Sequence, residues 1–343
     1  MLISLLRQNI LGIRLRVLSL QIYAALCVVV IGFDMCVKPL LARKVNGRIE
    51  FCGGSRDTRA SFNLEKKSTL RTIEIPCGQC YECRLKRSRE WAIRGVHESQ
   101  MHKDNCFLTL TYDDDHLVSP SLIYKHFSDL LKRLRYYYPH DKFSYMVCGE
   151  YGETNPCTGI VDGGLYRPHF HCILFGFNFP DRVPVKYIGQ SDLMKSKELD
   201  KIWGYGACRI GEVTFESISY VARYIMKKIT GDKAKEHYTI ITSEGEMIER
   251  VPEMFQVSRR PAIGKRWFQK YGKDVIHHDK TIARGKEVNI PRYYDKQIPK
   301  VILGMLQRDR EEKGRRYIKD HTDSRDKVRE TIVKAGLNQF KRK

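Results

Sequence analysis

Two hydrophobic periods alternate along the chain from about residue 105 onward. Residues 107–112, FLTLTY, place every second side chain on one face, which predicts a half-buried strand. In residues 121–138 the period changes. Phe127, Leu130, Leu131 and Leu134 recur at three or four, the spacing of an amphipathic helix. Strand patterns follow at 143–150 (FSYMVCGE) and 167–176 (RPHFHCILFG), separated by a Gly- and Pro-bearing loop at 154–165. A helix near 191–203, a strand near 207–213 and a helix at 217–228 complete the run. Upstream, residues 82–103 read as a helix with Leu85, Ala92 and Val96 on one face and Arg84, Arg87 and Arg94 turned away. Short strand-like stretches lie around 48–51 and 72–75. Helices interleaved with strands able to pair antiparallel predict an α+β fold rather than a doubly wound sheet.

The ends differ from this middle. Arg7, Arg14 and Arg16 precede an apolar run at 18–33, which resembles the charged and apolar regions of a signal peptide. Gln21 interrupts the run, which is short for a membrane span, and no cleavage pattern follows it. The expectation is an upstream extension or apolar leader at 1–34, with the functional chain starting at Met35. Beyond it we expect an N-terminal region at 35–104, a catalytic core at 105–230, a C-terminal region at 231–300 whose elements the pattern does not order, and a charged tail at 301–343. Charges of alternating sign in that tail suit a solvated helix.

Composition narrows the function. Lys and Arg number 61 against 40 Asp and Glu, a net charge of +21 that calls for a polyanionic partner, nucleic acid first. At 42% hydrophobic residues the chain can fill a core, which excludes wholesale disorder. The 11 cysteines are odd in number and scattered, unlike a secreted disulfide scaffold, so a reducing compartment is expected. Cys106, Cys148 and Cys172 sit in apolar strands as small hydrophobes. No GxxxxGK[ST], Rossmann, G-x-S-x-G or H-E-x-x-H pattern occurs, so no nucleotide cofactor is expected.

Three constellations carry candidate chemistry. His169-Phe170-His171 on a strand sends both imidazoles to one face, where they can hold one divalent metal. Glu150, ending another strand, could add an oxygen ligand, with Glu153 as its rival. Tyr220 and Tyr224 share a helix face, with Lys227 one turn on and Arg223 and Lys228 beside them. Such a pair is often plain core packing. Tyrosine, cation and metal together also make an apparatus for phosphoryl transfer through a covalent intermediate. Cys77, Cys80 and Cys83 have zinc spacing but lack a fourth ligand, for which Cys36, Cys52 and His97 are candidates; buried free thiols are the alternative. Arg84, Lys86, Arg87, Lys132 and Arg133 could hold a single strand, with Tyr136, Tyr137 and Tyr138 available for stacking.

The order FLTLTY, RPHFH, YVARYIMKK resembles the three motifs of HUH endonucleases of the two-tyrosine type. PCGQCYECR, REWAIRGVHESQMHKDNCFLTLTYDDDHL, CGEYG, GEVTFESISYVARYIMKK and SRRPAIGKRWF extend the likeness to the replication initiators of gokushovirus-like Microviridae, over residues 35–300. The resemblance implies a central antiparallel sheet with flanking helices. It implies a rolling-circle initiator that nicks DNA through a 5′-phosphotyrosine, transfers the strand and reseals it. His169, His171 and Glu150 would be metal ligands for Mg²⁺ or Mn²⁺, Tyr220 and Tyr224 the nucleophiles, Lys227 an electrostatic helper, and Lys228 a DNA contact. The partners implied are single-stranded or nicked viral origin DNA and a host helicase and DNA polymerase, in the cytoplasm of a bacterial host. A structural Zn²⁺ is an added expectation from the cysteines. Ala262 and the longer loop before His169 depart from the pattern. The rival from another class is a zinc-containing single-stranded nucleic-acid binding protein without catalysis.

Overall fold

A computed structural model describes residues 36, 39–45, 48–51, 72–152, 167–185, 193–228, 233–241, 245–316 and 322–339. The leader-like segment 1–34, Cys52, Glu153, the loop at 154–165 and the Lys227 side chain lie outside the described residues.

The described chain begins with a small antiparallel sheet of β1 (Leu40–Val45), β2 (Arg48–Phe51) and β3 (Thr72–Ile75), with β1 in the middle. There follow α1 (Tyr81–Ser99), β4 (Asn105–Leu110), α2 (Tyr124–Tyr137), β5 (Ser144–Tyr151) and β6 (Pro168–Phe175). Next come β7 (Val183–Pro184), β8 (Met194–Lys195), α3 (Lys197–Trp203), β9 (Cys208–Gly211) and α4 (Phe215–Lys227). The remainder holds α5 (Lys233–Tyr238), the hairpin β10 (Thr239–Ile241) and β11 (Met247–Glu249), β12 (Met254–Val257) and α6 (Lys265–His278). It ends with the hairpin β13 (Lys280–Ala283) and β14 (Lys286–Asn289), then α7 (Arg292–Asp295), α8 (Lys300–Arg316) and α9 (Asp323–Gln339).

Seven strands form the central antiparallel sheet in the order β12-β5-β6-β4-β9-β8-β7, so the expected α+β class with flanking helices is the observed one. Strand alternation separates its two faces. Leu108, Leu110, Val147, Cys172 and Leu174 pack with Phe127, Leu130 and Leu134 of α2 and with Ile202 and Trp203 of α3. Met146, Cys148, Ile173 and Phe175, on the other face, pack with Ala92 of α1 and with Ile218, Val221 and Ala222 of α4. Cys106, Cys148 and Cys172 are fully buried, as small hydrophobes should be. Helices α1 and α4 meet at Gly95, where a Cβ would stand 2.5 Å from Ile218 Cγ2 and 3.0 Å from Met146 Sδ. The helix expected near 191–203 is shorter, because Ser196 accepts the Leu199 amide as its N-cap and Met194–Lys195 are drawn into the sheet.

The region at 231–300 supplies β12, which pairs with β5. It also supplies a third core around Trp267, Phe268, Ile290 and Tyr294. This corrects two expectations about α1. Arg94 is buried rather than turned to solvent. Its guanidinium lies 3.9 Å from the ring centres of both Trp91 and Tyr293 and donates to the Ile263 carbonyl. His97 is no zinc ligand, because its ring nitrogens are committed to the Tyr294 hydroxyl at 2.8 Å and the Thr281 hydroxyl at 3.1 Å, and its ring stacks 3.5 Å from Trp267. In the tail, Arg310 of α8 bridges Asp279 and Asp295. Among the described residues no helix is long and apolar enough to cross a membrane.

Candidate active site

Antiparallel register brings the site together. Strand β6 lies between β5 and β4, pairing Glu150 with His169 and both Cys148 and Thr109 with His171. Glu150, His169 and His171 fall on the sheet face that α4 covers, since they alternate with Phe170 and Cys172 of the opposite face. Helix α4 starts at a capping box in which Thr214 and Ser217 satisfy one another's amides. That start sets the phase of Tyr220 and Tyr224, one turn apart, against the sheet.

Three groups converge on one oxygen. His169 Nε2 is 2.8 Å, His171 Nε2 2.7 Å and the Tyr220 hydroxyl 2.7 Å from Glu150 Oε1. The Tyr224 hydroxyl donates to the Tyr220 hydroxyl at 2.9 Å. Tyr220 is half-buried beside the His171 ring, with ring centres 5.0 Å apart, and Tyr224 is fully enclosed.

The tautomers reveal what the centre wants. His169 Nδ1 lies 3.2 Å from the Arg167 carbonyl, which can only accept, so Nδ1 carries a proton. A neutral ring would then aim its Nε2 lone pair at a carboxylate oxygen 2.8 Å away. That contact requires a positive charge between the two atoms, either a ring proton or a metal ion. One ligand atom from each of Glu150, His169 and His171 falls within 4.8 Å of the others, the spacing of a metal site. Thr109 Oγ1, 3.1 Å from His171 Nδ1, orients the second imidazole in the way ligating histidines are commonly held.

The electrostatics agree. Burial works to raise the Glu150 carboxyl, but the hydrogen bonds and charges of His169 and His171 outweigh it and hold the group well below the usual carboxylate range. Burial, the Glu150 charge and the hydrogen bond to it push the Tyr220 phenol far up. Tyr220 is thus a neutral hydroxyl in this arrangement, donating to Glu150. Added positive charge at the centre would favour its deprotonation.

The four cysteines form a second cluster. Cys36 joins Cys77, Cys80 and Cys83, all four sulfurs lying within 4.8 Å of one another. The basic candidates separate by environment. Arg87 and Lys228 are exposed and Lys86 is half-buried. Lys132 pairs with Asp129 at 3.1 Å. Arg133 donates to the Trp203 carbonyl, and Arg84 donates to the last carbonyls of α4. Tyr136 and Tyr137 are exposed, whereas Tyr138 packs against Phe177 and bonds Glu198. Thr109 was missed in the sequence because only register places it beside His171. Arg84 resembled any surface cation because its helix-closing contacts span 144 residues.

A family model described as replication-associated protein ORF2 matches residues 105–229, the span from β4 through α4. The replication-associated protein VP4 of Bdellovibrio phage phiMH2K is 35% identical over 246 residues, 66% of this chain and 67% of the relative. The replication-associated protein ORF2 of Spiroplasma virus 4 is 29% identical over 284 residues, 77% of this chain and 80% of the relative. The replication-associated protein ORF4 of Chlamydia phage 1 is 28% identical over 253 residues, 71% of this chain and 58% of the relative. No solved structure matches the chain.

Proposed function

Because this chain belongs to the family of phage replication-associated proteins, we propose that it starts rolling-circle replication as a metal-dependent HUH-type nickase and strand transferase. The observation that carries this reading is the meeting of two histidines and a tyrosine hydroxyl on a single carboxylate oxygen, Glu150 Oε1.

Glu150, His169 and His171 would hold Mg²⁺ or Mn²⁺, and the bound ion supplies charge stabilisation to the phosphate under attack. Tyr220 is placed to act first. Its hydroxyl touches the carboxylate directly, while Tyr224 reaches it through Tyr220. The Tyr220 oxygen forms a bond to phosphorus, its proton passing along the hydrogen bond to Glu150. The bond from phosphorus to the 3′ oxygen breaks, and that oxygen leaves as a hydroxyl that primes synthesis. One phosphodiester becomes one phosphotyrosine, so the bond energy is kept and resealing needs no nucleotide. Tyr224 then cleaves the regenerated origin, and the new 3′-hydroxyl attacks the first linkage to close the circle. Lys227, one turn beyond Tyr224, would steady the phosphate charge. Lys86, Arg87, Lys132 and Lys228, with Tyr136 and Tyr137, would track the single strand. A host helicase would open the duplex and a host DNA polymerase would extend the 3′ end, in the bacterial cytoplasm.

The test is incubation of the full chain with end-labelled single-stranded origin DNA and Mn²⁺, followed by denaturing electrophoresis. A protein adduct carrying the 3′-side fragment through its 5′ phosphate, lost on chelation, supports the enzyme. A mobility shift without an adduct supports the binding protein instead.

A further inference from the structure

The thiol cluster lies apart from the nicking centre and has its own geometry. Cys36 Sγ stands 3.4 Å from Cys77 Sγ and 3.6 Å from Cys80 Sγ. A zinc–sulfur bond of about 2.3 Å in a tetrahedron sets sulfurs about 3.8 Å apart. A disulfide would need about 2.05 Å. An iron–sulfur cluster places its cysteines on different irons and spreads them wider than a mononuclear site does. The backbone supports charged sulfur here. The Cys77 amide donates to Cys36 Sγ and the Cys80 amide to Cys77 Sγ, each at 3.2 Å. Gly78, at φ +73°, makes the left-handed turn inside the Cys77–Cys80 spacing that a side chain would resist. Cys80 is the N-cap of α1 and Cys83 lies in its first turn, so the positive end of that helix faces the sulfurs.

We propose that Cys36, Cys77, Cys80 and Cys83 bind one zinc ion, which fastens the segment before β1 to the start of α1 and steadies the end of the tyrosine helix. The second half of this rests on Arg84, the residue after Cys83. Its Nη2 donates to the Lys228 carbonyl at 2.8 Å, to the Met226 carbonyl, and to the Ile225 carbonyl at 3.5 Å. A guanidinium on the last carbonyls of α4 satisfies acceptors the helix leaves open and complements its negative end. The ion that fixes the first turn of α1 therefore fixes the group that closes α4 one turn beyond Tyr224. This site takes no part in the phosphoryl transfer proposed above and stands whether or not that reading holds.

Elemental analysis of the full chain, purified under reducing conditions, should find one zinc per chain. Cobalt replacement should give sulfur-to-cobalt charge transfer and the strong visible bands of a tetrahedral thiolate site. Cys36→Ser should weaken binding beyond the roughly 10–100-fold that losing an outer-shell partner costs. Cys208→Ser, in the core packed on the opposite face of the sheet, should leave it unchanged. Stripping the zinc with a strong chelator should speed hydrogen exchange at residues 225–228 while β4, β5 and β6 keep their protection. Absence of zinc together with no cobalt spectrum overturns the site. So does a Cys36–Cys77 disulfide, iron with acid-labile sulfide, or unchanged binding in Cys36→Ser. Unchanged exchange at 225–228 after stripping overturns the link to the tyrosine helix.

Discussion

His97 should make the protein acid-sensitive by an amount the structure sets. Its ring is enclosed between α1, Trp267, Thr281 and Tyr294, and burial lowers its pKa from 6.5 to about 3. One donor and one acceptor on a neutral imidazole match two hydroxyls that can each play either role, so the neutral form is satisfied. The folded-state value lies below the unfolded one. The neutral ring's contribution is therefore fully present above about pH 6.5 and is lost as pH falls toward about 3. At 1.36 kcal/mol per pKa unit the full loss is roughly 4.8 kcal/mol, and between about pH 7.5 and pH 4.5 it is roughly 2.7 kcal/mol. Urea unfolding of wild type and His97→Gln at those two pH values isolates it, since the other histidines are common to both. The variant should be less stable at the higher pH but should lose about 2–3 kcal/mol less than wild type on acidification. Equal losses in the two proteins would refute the buried neutral imidazole and the docking of the third core on α1.

Gly95→Ala adds a methyl 2.5 Å from Ile218 Cγ2, and overpacking of about 1–3 kcal/mol should outweigh the ~1 kcal/mol helix gain. Pairing it with Ile218→Ala should cost less than the sum of the two single changes, measured by urea midpoints; strict additivity would remove the proposed close contact. The double variant His169→Ala, His171→Ala should form no covalent DNA adduct yet keep salt-dependent DNA binding within a few-fold, because phosphate contacts dominate that affinity. Retained cleavage in that variant would remove the histidines from the chemistry. Mn²⁺ should replace Mg²⁺ with no loss of nicking rate, as imidazole is a softer donor than Mg²⁺ prefers; activity with Mg²⁺ alone would argue against imidazole ligation.

Local pattern carried much of the fold into the sequence. The alternation at Phe107–Tyr112 and the helical spacing of Phe127, Leu130, Leu131 and Leu134 each found the element they predicted within a few residues. Period-two geometry also put His169 and His171 on one face. Long-range pairing was hidden. Nothing local tells that β12 joins β5, or that a core near Trp267 covers α1, so Arg94 and His97 looked like ordinary helix-surface residues. The closing of the thiol cluster by Cys36 spans 41 residues, and sequence spacing alone left three candidates for that role. The hydrogen-bond order Tyr224, Tyr220, Glu150 depends on side-chain placement that a shared helix face does not specify.

The central claim is a covalent bond between DNA and one of two tyrosines. Its most direct test is peptide mapping by mass spectrometry of the adduct formed on a single-stranded origin oligonucleotide. Wild type should carry the nucleotide remnant mainly on Tyr220. Tyr220→Phe should move it to Tyr224, Tyr224→Phe should leave it on Tyr220, and the double Phe variant should carry none. A remnant on any other residue, or an adduct surviving in the double variant, would contradict the account.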